Sequence, residues 1–168
     1  MITQARLKEL LHYNPKTGVF TWKVSKGSRA KAGSDAGSSR KSKRTYYRQI
    51  KIDGVLHLSH RLAWLYVHGK FPDGDIDHED GNGLHNWMKN LRDVTTRLNN
   101  KNMPLPRGNT SGVIGVSFDK QNGKWLAQIS TESGKKKNLG RFADINDAIA
   151  VRRAAEVKHG YHPNHGRA

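Results

Sequence analysis

Apolar positions along the chain change period several times, and each change marks an expected element. Ile2, Leu7, Leu10 and Leu11 recur at helical spacing behind a capping Thr3, so residues 2–11 are expected to be helical. Asn14 to Gly18 is a turn, and Val19-Phe20-Thr21-Trp22 a short strand. Residues 25–44 contain no large apolar side chain and are expected to form a solvated loop, open to ordering along a phosphate backbone. Tyr46 to Ile52 alternates as a strand does, Asp53-Gly54 supplies a two-residue hairpin turn, and Val55 to Leu58 returns. Ser59 to His68 is expected to be a helix capped by Ser59 and ended by Gly69.

The second half of the chain follows a different pattern. Met103 to Asn109 is rich in Pro and Gly and is expected to be a linker. Val113 to Phe118, Trp125 to Ile129 and Asn138 to Phe142 are three expected strands, separated by turns at 119–123 and at Gly134. Asp144 then caps a helix from Ile145 to Lys158. Three strands and one helix in this span make a small α+β unit.

Composition narrows the partners. The 168 residues include 30 Lys and Arg against 14 Asp and Glu, a net charge of +16. Mean hydropathy is −0.81, which favours small modules over one large core. Such a balance points to a polyanion, nucleic acid first among them, and no long apolar run supports a membrane partner. The absence of Cys excludes disulfides and thiolate-held zinc. No apolar leader stands at the N-terminus, and a cytoplasmic protein is the expectation. The charge is uneven: residues 1–60 carry +10, residues 61–107 only +1, and residues 108–168 carry +5.

The near-neutral centre contains DHEDGNGLHNWMKNLRDVTTRLNN, residues 77–100, dense in Asp, His and Asn. Asp77-His78 closes a short strand, residues 80–83 turn, Asn90 to Val94 returns, and Thr95 caps a helix carrying Asn99 and Asn102. Carboxylate and amide oxygens suit a hard cation such as magnesium, which accepts few protein ligands when phosphate and water complete its shell. A neighbouring imidazole can take a proton from water near neutral pH. Asp-Gly and Asn-Gly pairs are also ordinary turn formers, so spacing alone leaves a plain surface loop open.

Asp77-His78, Asp80-Gly81, Asn90-Leu91-Arg92 and the Asn-rich helix together resemble the HNH endonucleases, particularly the phage and intron homing type. The upstream His60-Arg61-Leu62-Ala63-Trp64 and the stretch from Leu10 to Trp22 are similar to segments of phage-type members. That resemblance implies a ββα-metal module in which His78 is the general base and Asn90 orients it. It assigns Asp77 and Asn99 as ligands of Mg²⁺, with Mn²⁺ or another divalent cation able to substitute. Asn100 and Asn102 are the alternatives to Asn99 if the helix register differs. Arg92 is counted among the DNA contacts, His60 as structural, and His85 is left unassigned.

Ser111 to Ser117, Gly123 to Ile129 and Leu139 to Phe142 resemble the Apetala-two-type DNA-binding domain, which reads the major groove with a three-stranded sheet. The resemblance implies contacts from Ser117, Lys124, Gln128, Ser130 and Lys137, with Arg141 near phosphate and Trp125 stacked on the backbone. The plant proteins place arginines on the first strand where this chain has Ile114 and Ser117, so their sequence preference does not carry over.

The expectation is therefore an α+β chain: a small strand/helix region, a ββα-metal module, then an antiparallel sheet packed on one helix. Its expected boundaries are 1–103 for the N-terminal region and nuclease, 104–110 for the linker, 111–160 for the DNA-binding domain and 161–168 for a tail. The expected activity is phosphodiester hydrolysis in double-stranded DNA, by nicking or double-strand cutting. A monomer is favoured and no protein partner is implied. A non-catalytic DNA-binding regulator with a degenerate nuclease module is the alternative.

Overall fold

The structure, a computed structural model, describes residues 1–28, 30–42 and 45–167. The chain is mixed α+β and divides into two compact units, Met1–Thr96 and Arg97–Ala168.

In the first unit, α1 (Gln4–Leu10) starts at Thr3, whose hydroxyl accepts the Arg6 amide at 3.2 Å, and buries Leu7 and Leu10. The helix expected through Leu11 stops one residue early. Leu11 is extended and opens β1 (Leu11–Tyr13), which pairs antiparallel with β2 (Phe20–Trp22). Leu11 and Tyr13 are buried on either side of exposed His12, so a period of two takes over where helical spacing had also fitted.

The expected hairpin forms as β4 (Tyr46–Ile52) and β5 (Val55–Leu58), with φ of 46° at Asp53 and 84° at Gly54, the left-handed pair such a turn needs. A third strand, β3 (Ser38–Lys41), pairs with the other side of β4 inside the segment expected to be a loop. All four of its residues are exposed, so apolar periodicity carries no sign of it. Within that segment, Arg29, Lys43 and Arg44 lie outside the described residues.

Helix α2 (Ser59–His68) ends at Gly69, with φ of 79°, as expected. Its cap is Leu58 rather than Ser59, and no side chain bonds there; Ser59 is the first helical residue and is buried. Leu62, Ala63 and Leu65 join Leu7, Leu10, Phe20, Trp22, Ile50 and Ile52 in one core. Ile76 of β6 (Asp75–His78) and Leu91 of β7 (Leu91–Val94) reach the same core, which anchors a two-stranded antiparallel ribbon. Helix α3 (Thr96–Asn100) follows β7.

The second unit is an antiparallel sheet of β8 (Val116–Asp119), β9 (Lys124–Ser130) and β10 (Lys136–Phe142), ordered β10-β9-β8, packed on α4 (Ile145–Lys158). Asp144 caps α4 by accepting the Asn146 amide at 2.6 Å. The first strand was expected from Val113 but starts at Val116. Gly112 and Gly115 turn the chain with φ of 75° and 83°, and the Ser111 hydroxyl donates to the carbonyls of Val113 and Val116 at 2.9 and 2.7 Å. The core comprises Val113, Val116, Ala127 and Ala148, flanked by Trp125, Phe142 and Ile145. Arg152 on α4 is 2% exposed, its Nε donating to the Ile114 carbonyl at 2.7 Å. Among the described residues, no helix is long and apolar enough to cross a membrane.

Candidate active site

The β6–β7 ribbon sets Asp77 opposite Arg92 and His78 opposite Leu91. Asp77 and His78 are each 5% exposed, although each carries a polar group that water would hydrate well. The Asp77 carboxylate accepts a hydrogen bond from the Arg92 guanidinium, which balances the buried charge. After His78 the chain turns at once, the Gly81 amide donating to the His78 carbonyl at 2.8 Å.

Asn90 holds the loop between the strands. Its Oδ1 accepts the Asp80 amide at 3.0 Å, and its Nδ2 donates to Asp80 Oδ1 at 3.0 Å and to the His85 carbonyl at 2.8 Å. These bonds place Asn90 against the loop, so its influence on His78 runs through the loop backbone. The amide that meets the His78 ring is Asn86, whose Oδ1 lies 3.0 Å from His78 Nε2. Asn86 is 1% exposed, and its Nδ2 donates to the Leu84 carbonyl at 3.3 Å, which directs Oδ1 to the ring. Burial pushes the His78 imidazole below its ordinary pKa, against the Asn86 hydrogen bond and the nearby Asp80 and Asp77 charges.

Two further rings close on His78: His60 with centroids 5.1 Å apart, and Tyr47 at 6.0 Å. His60 is itself 6% exposed and is pushed down to about 3, first by burial and then by the charges of His78 and Arg61. His60 is thus a neutral packing ring. His85, left unassigned by sequence, sets Nδ1 2.6 Å from Asp80 Oδ2 and stacks on Trp87 at 4.7 Å. Burial pushes the Asp80 carboxyl up, but the Asn82 amide, His85 and Asn90 outweigh it and hold the group below the usual range.

Asn86 was missed because its partner lies far away in sequence. The Tyr13 hydroxyl donates to the Asn86 carbonyl at 2.6 Å, and the Met88 amide donates to the Pro15 carbonyl at 2.9 Å. Gly18, at φ of 76°, lies so close that a Cβ there would come within 2.4 Å of the Asn86 carbonyl carbon and the Trp87 nitrogen. The turn at 14–18 is legible in the sequence, whereas its seat against the loop is not.

The donors here suit a hard divalent cation: Asp77 offers a carboxylate, and the neighbouring side chains are amides and imidazoles rather than thiolates. Among the described residues, no three His, Asp or Glu side chains converge as a metal cluster. Asn99 stands half-buried on α3 in the second unit.

In the second unit, the register sorts the expected DNA contacts by face. Ser117 pairs with Leu126, Asn138 with Gln128, and Arg141 with Leu126, while Lys124 opposes Asp119; all share the face turned away from buried Ala127 and Ile129. Ser130, paired with Lys136, is on that face too. Trp125 instead packs against the core beside α4, and Lys137 pairs with buried Ile129. Arg141 Nε bonds Asp119 at 2.9 Å and holds its carboxyl down at about 2.

Comparison with known proteins finds relatives for this part of the chain. Residues 57–101 match the HNH endonuclease family, a span that contains both strands of the ribbon and its loop. Over 103 residues the chain is 36% identical to Protein 3.8 of Escherichia phage T7, covering 60% of this chain and 84% of the phage protein. No solved structure matches. A buried Asp-His pair closing a two-stranded ribbon, the family match across it and the extended likeness to the phage protein lead to one conclusion: this chain belongs to the HNH endonuclease family.

Proposed function

We propose that the chain is a metal-dependent DNA endonuclease of the homing type, which hydrolyses phosphodiester bonds and grips its target with the second unit. The observation that carries this reading is the hydrogen bond between His78 Nε2 and Asn86 Oδ1 at 3.0 Å, in a ring desolvated on the strand that also holds Asp77. An amide oxygen accepts only, so Nε2 carries the ring proton and Nδ1 is the basic nitrogen. His78 therefore takes a proton from water at Nδ1, and Asn86 holds the ring in that tautomer. Asp77 would hold Mg²⁺, which when bound stabilises charge developing on the phosphate and the leaving oxygen. Arg92 pairs with Asp77 and orients it, and its remaining N–H groups are suited to a phosphate. A shallow cavity of about 440 Å³ lined by Arg40, Lys41, Ser42 and Tyr47 offers a basic path for a strand, ending at the Tyr47 ring beside His78.

In the second unit, the outward face with Ser117, Lys124, Gln128 and Arg141 is the DNA-reading surface, since alternate side chains of a sheet can reach base edges. The boundaries 1–103 and 111–160 describe the two roles on this reading.

Supercoiled plasmid incubated with the protein is expected to be nicked or linearised with Mg²⁺ and left intact with EDTA. His78→Ala and Asp77→Ala are each expected to reduce cleavage by roughly 10²–10⁴-fold while leaving duplex affinity unchanged. Full activity in either variant overturns the mechanism. Binding without cleavage by the wild-type protein, with any divalent cation, supports a DNA-binding regulator instead. Asn86→Ala is expected to lower kcat about tenfold with KM unchanged, as suits a positioning residue.

A further inference from the structure

The second unit contains a cavity of about 540 Å³ that the proposed cleavage does not use. Its size falls within the range of small-molecule sites. Arg97, Lys101, Lys136 and Arg152 line it, and no Asp or Glu does. Met103, Pro106 and Ile114 give it an apolar wall.

Lys101 is the informative residue. It is 9% exposed, its ammonium donates to the His159 carbonyl at 2.6 Å, and it lies 5.4 Å from the centre of the Tyr161 ring. Neither partner carries negative charge. Among the described residues, the ion pairs of this unit join Asp119 to Arg141 and Glu156 to Arg152 and Arg153. Lys101, Arg97 and Lys136 take no part in them. A buried ammonium without a counter-charge is costly, and three uncompensated cations around one cavity add mutual repulsion.

Arg152 deepens the imbalance. Glu156 pairs with it at 3.1 Å but is shared with Arg153, and Arg152 Nη1 is buried with no hydrogen-bond partner. Its guanidinium lies over the same Tyr161 ring at 4.9 Å. His165, also on the wall, is held down at about 4 by burial and by the charges of Arg152, Arg153 and Arg167. The cavity is positive throughout, with an aromatic and apolar side.

We propose that this cavity binds the phosphate of a nucleotide, with Lys101, Lys136 and Arg97 as cationic partners and the apolar wall against the nucleoside. The same chemistry is offered by a free nucleoside phosphate and by a phosphate of the DNA strand. The proposal does not depend on the nuclease reading.

The test uses the full chain in EDTA, which prevents cleavage. Calorimetry with pyrophosphate and with deoxyadenosine triphosphate reads the free ligand, and anisotropy with a labelled duplex reads the strand. Arg97 and Lys136 are exposed, so the double variant Arg97→Gln/Lys136→Gln is expected to fold as the parent does, with Lys101→Met as the buried counterpart. If the ligand is free, the triphosphate binds and the double variant weakens it about tenfold or more. If it is the strand, the small phosphates do not bind, duplex affinity falls about tenfold and the salt slope drops by about two. In either case the bound anion raises the His165 pKa, read by NMR titration. If the double variant matches the parent with all three probes, the proposal is overturned, whatever Lys101→Met does.

Discussion

The two units solve the same problem, a small core in a highly charged chain, in opposite ways. The first gathers apolar side chains from two helices and strands of all three of its sheets, from Leu7 to Leu91, and hangs its polar loop from that mass. The second buries Val113, Val116, Ala127, Ile129 and Ala148 and completes its interior with the guanidinium of Arg152. A large apolar core can support a desolvated histidine and asparagine, because the cost of burying them is offset elsewhere. A small core with buried cations is better suited to holding an anion.

Acid should separate the units most clearly. His60 has a folded pKa of about 3 against an ordinary value of about 6.5, so the folded state binds fewer protons than the unfolded state between those values. Its contribution is fully present above about pH 6.5 and is lost as pH falls toward about 3, by ~2–5 kcal/mol in all. Hydrogen exchange across this window is expected to show the first unit losing protection steeply. His60→Phe, which keeps a ring without a titration, should flatten that loss. In the second unit His165, at about 4, works with the same sign over a narrower window. An unchanged slope in His60→Phe would falsify the role given to His60.

The loop comes next. Asn90→Ala removes three hydrogen bonds from a buried site and is expected to cost about 2–3 kcal/mol. Cleavage should fall roughly 100-fold through the misplaced loop while duplex affinity stays with the second unit. A parallel loss of affinity would mean that the units do not divide the labour in this way. The smallest effect is expected from Arg141→Ala. Its pair with Asp119 is screened by solvent, so stability should barely change. The salt slope of duplex binding is expected to fall by about one, with cleavage at saturating protein unaltered.

Much of this architecture is legible in the sequence wherever one local signal is sufficient. The Asp53-Gly54 turn, the Gly69 stop and the Asp144 cap each act within a few residues, and the elements beside them form as expected. Strand β3 escaped because an exposed edge strand of Ser, Arg and Lys buries nothing and so leaves no hydrophobic period. The end of α1 escaped because Leu10 and Leu11 satisfy both a helical and an alternating pattern. In the candidate site, the Asp77-His78 pair and Asn90 stand out by type and spacing. The bond from Asn86 to the ring does not, because it rests on contacts with residues 13 to 18 that no local pattern encodes.

That last contact bears on portability. The span matching the nuclease family begins at residue 57, yet the carbonyl of Asn86 is held by a tyrosine at position 13 and its neighbour by the chain around Pro15 and Gly18. A graft of residues 57–101 alone would transfer every recognised motif residue and leave the seat of the histidine behind. The smallest inheritable unit of this site therefore begins at the first helix and strand, so recombination that splits the chain between residues 18 and 57 separates a motif from the part that keeps it in place.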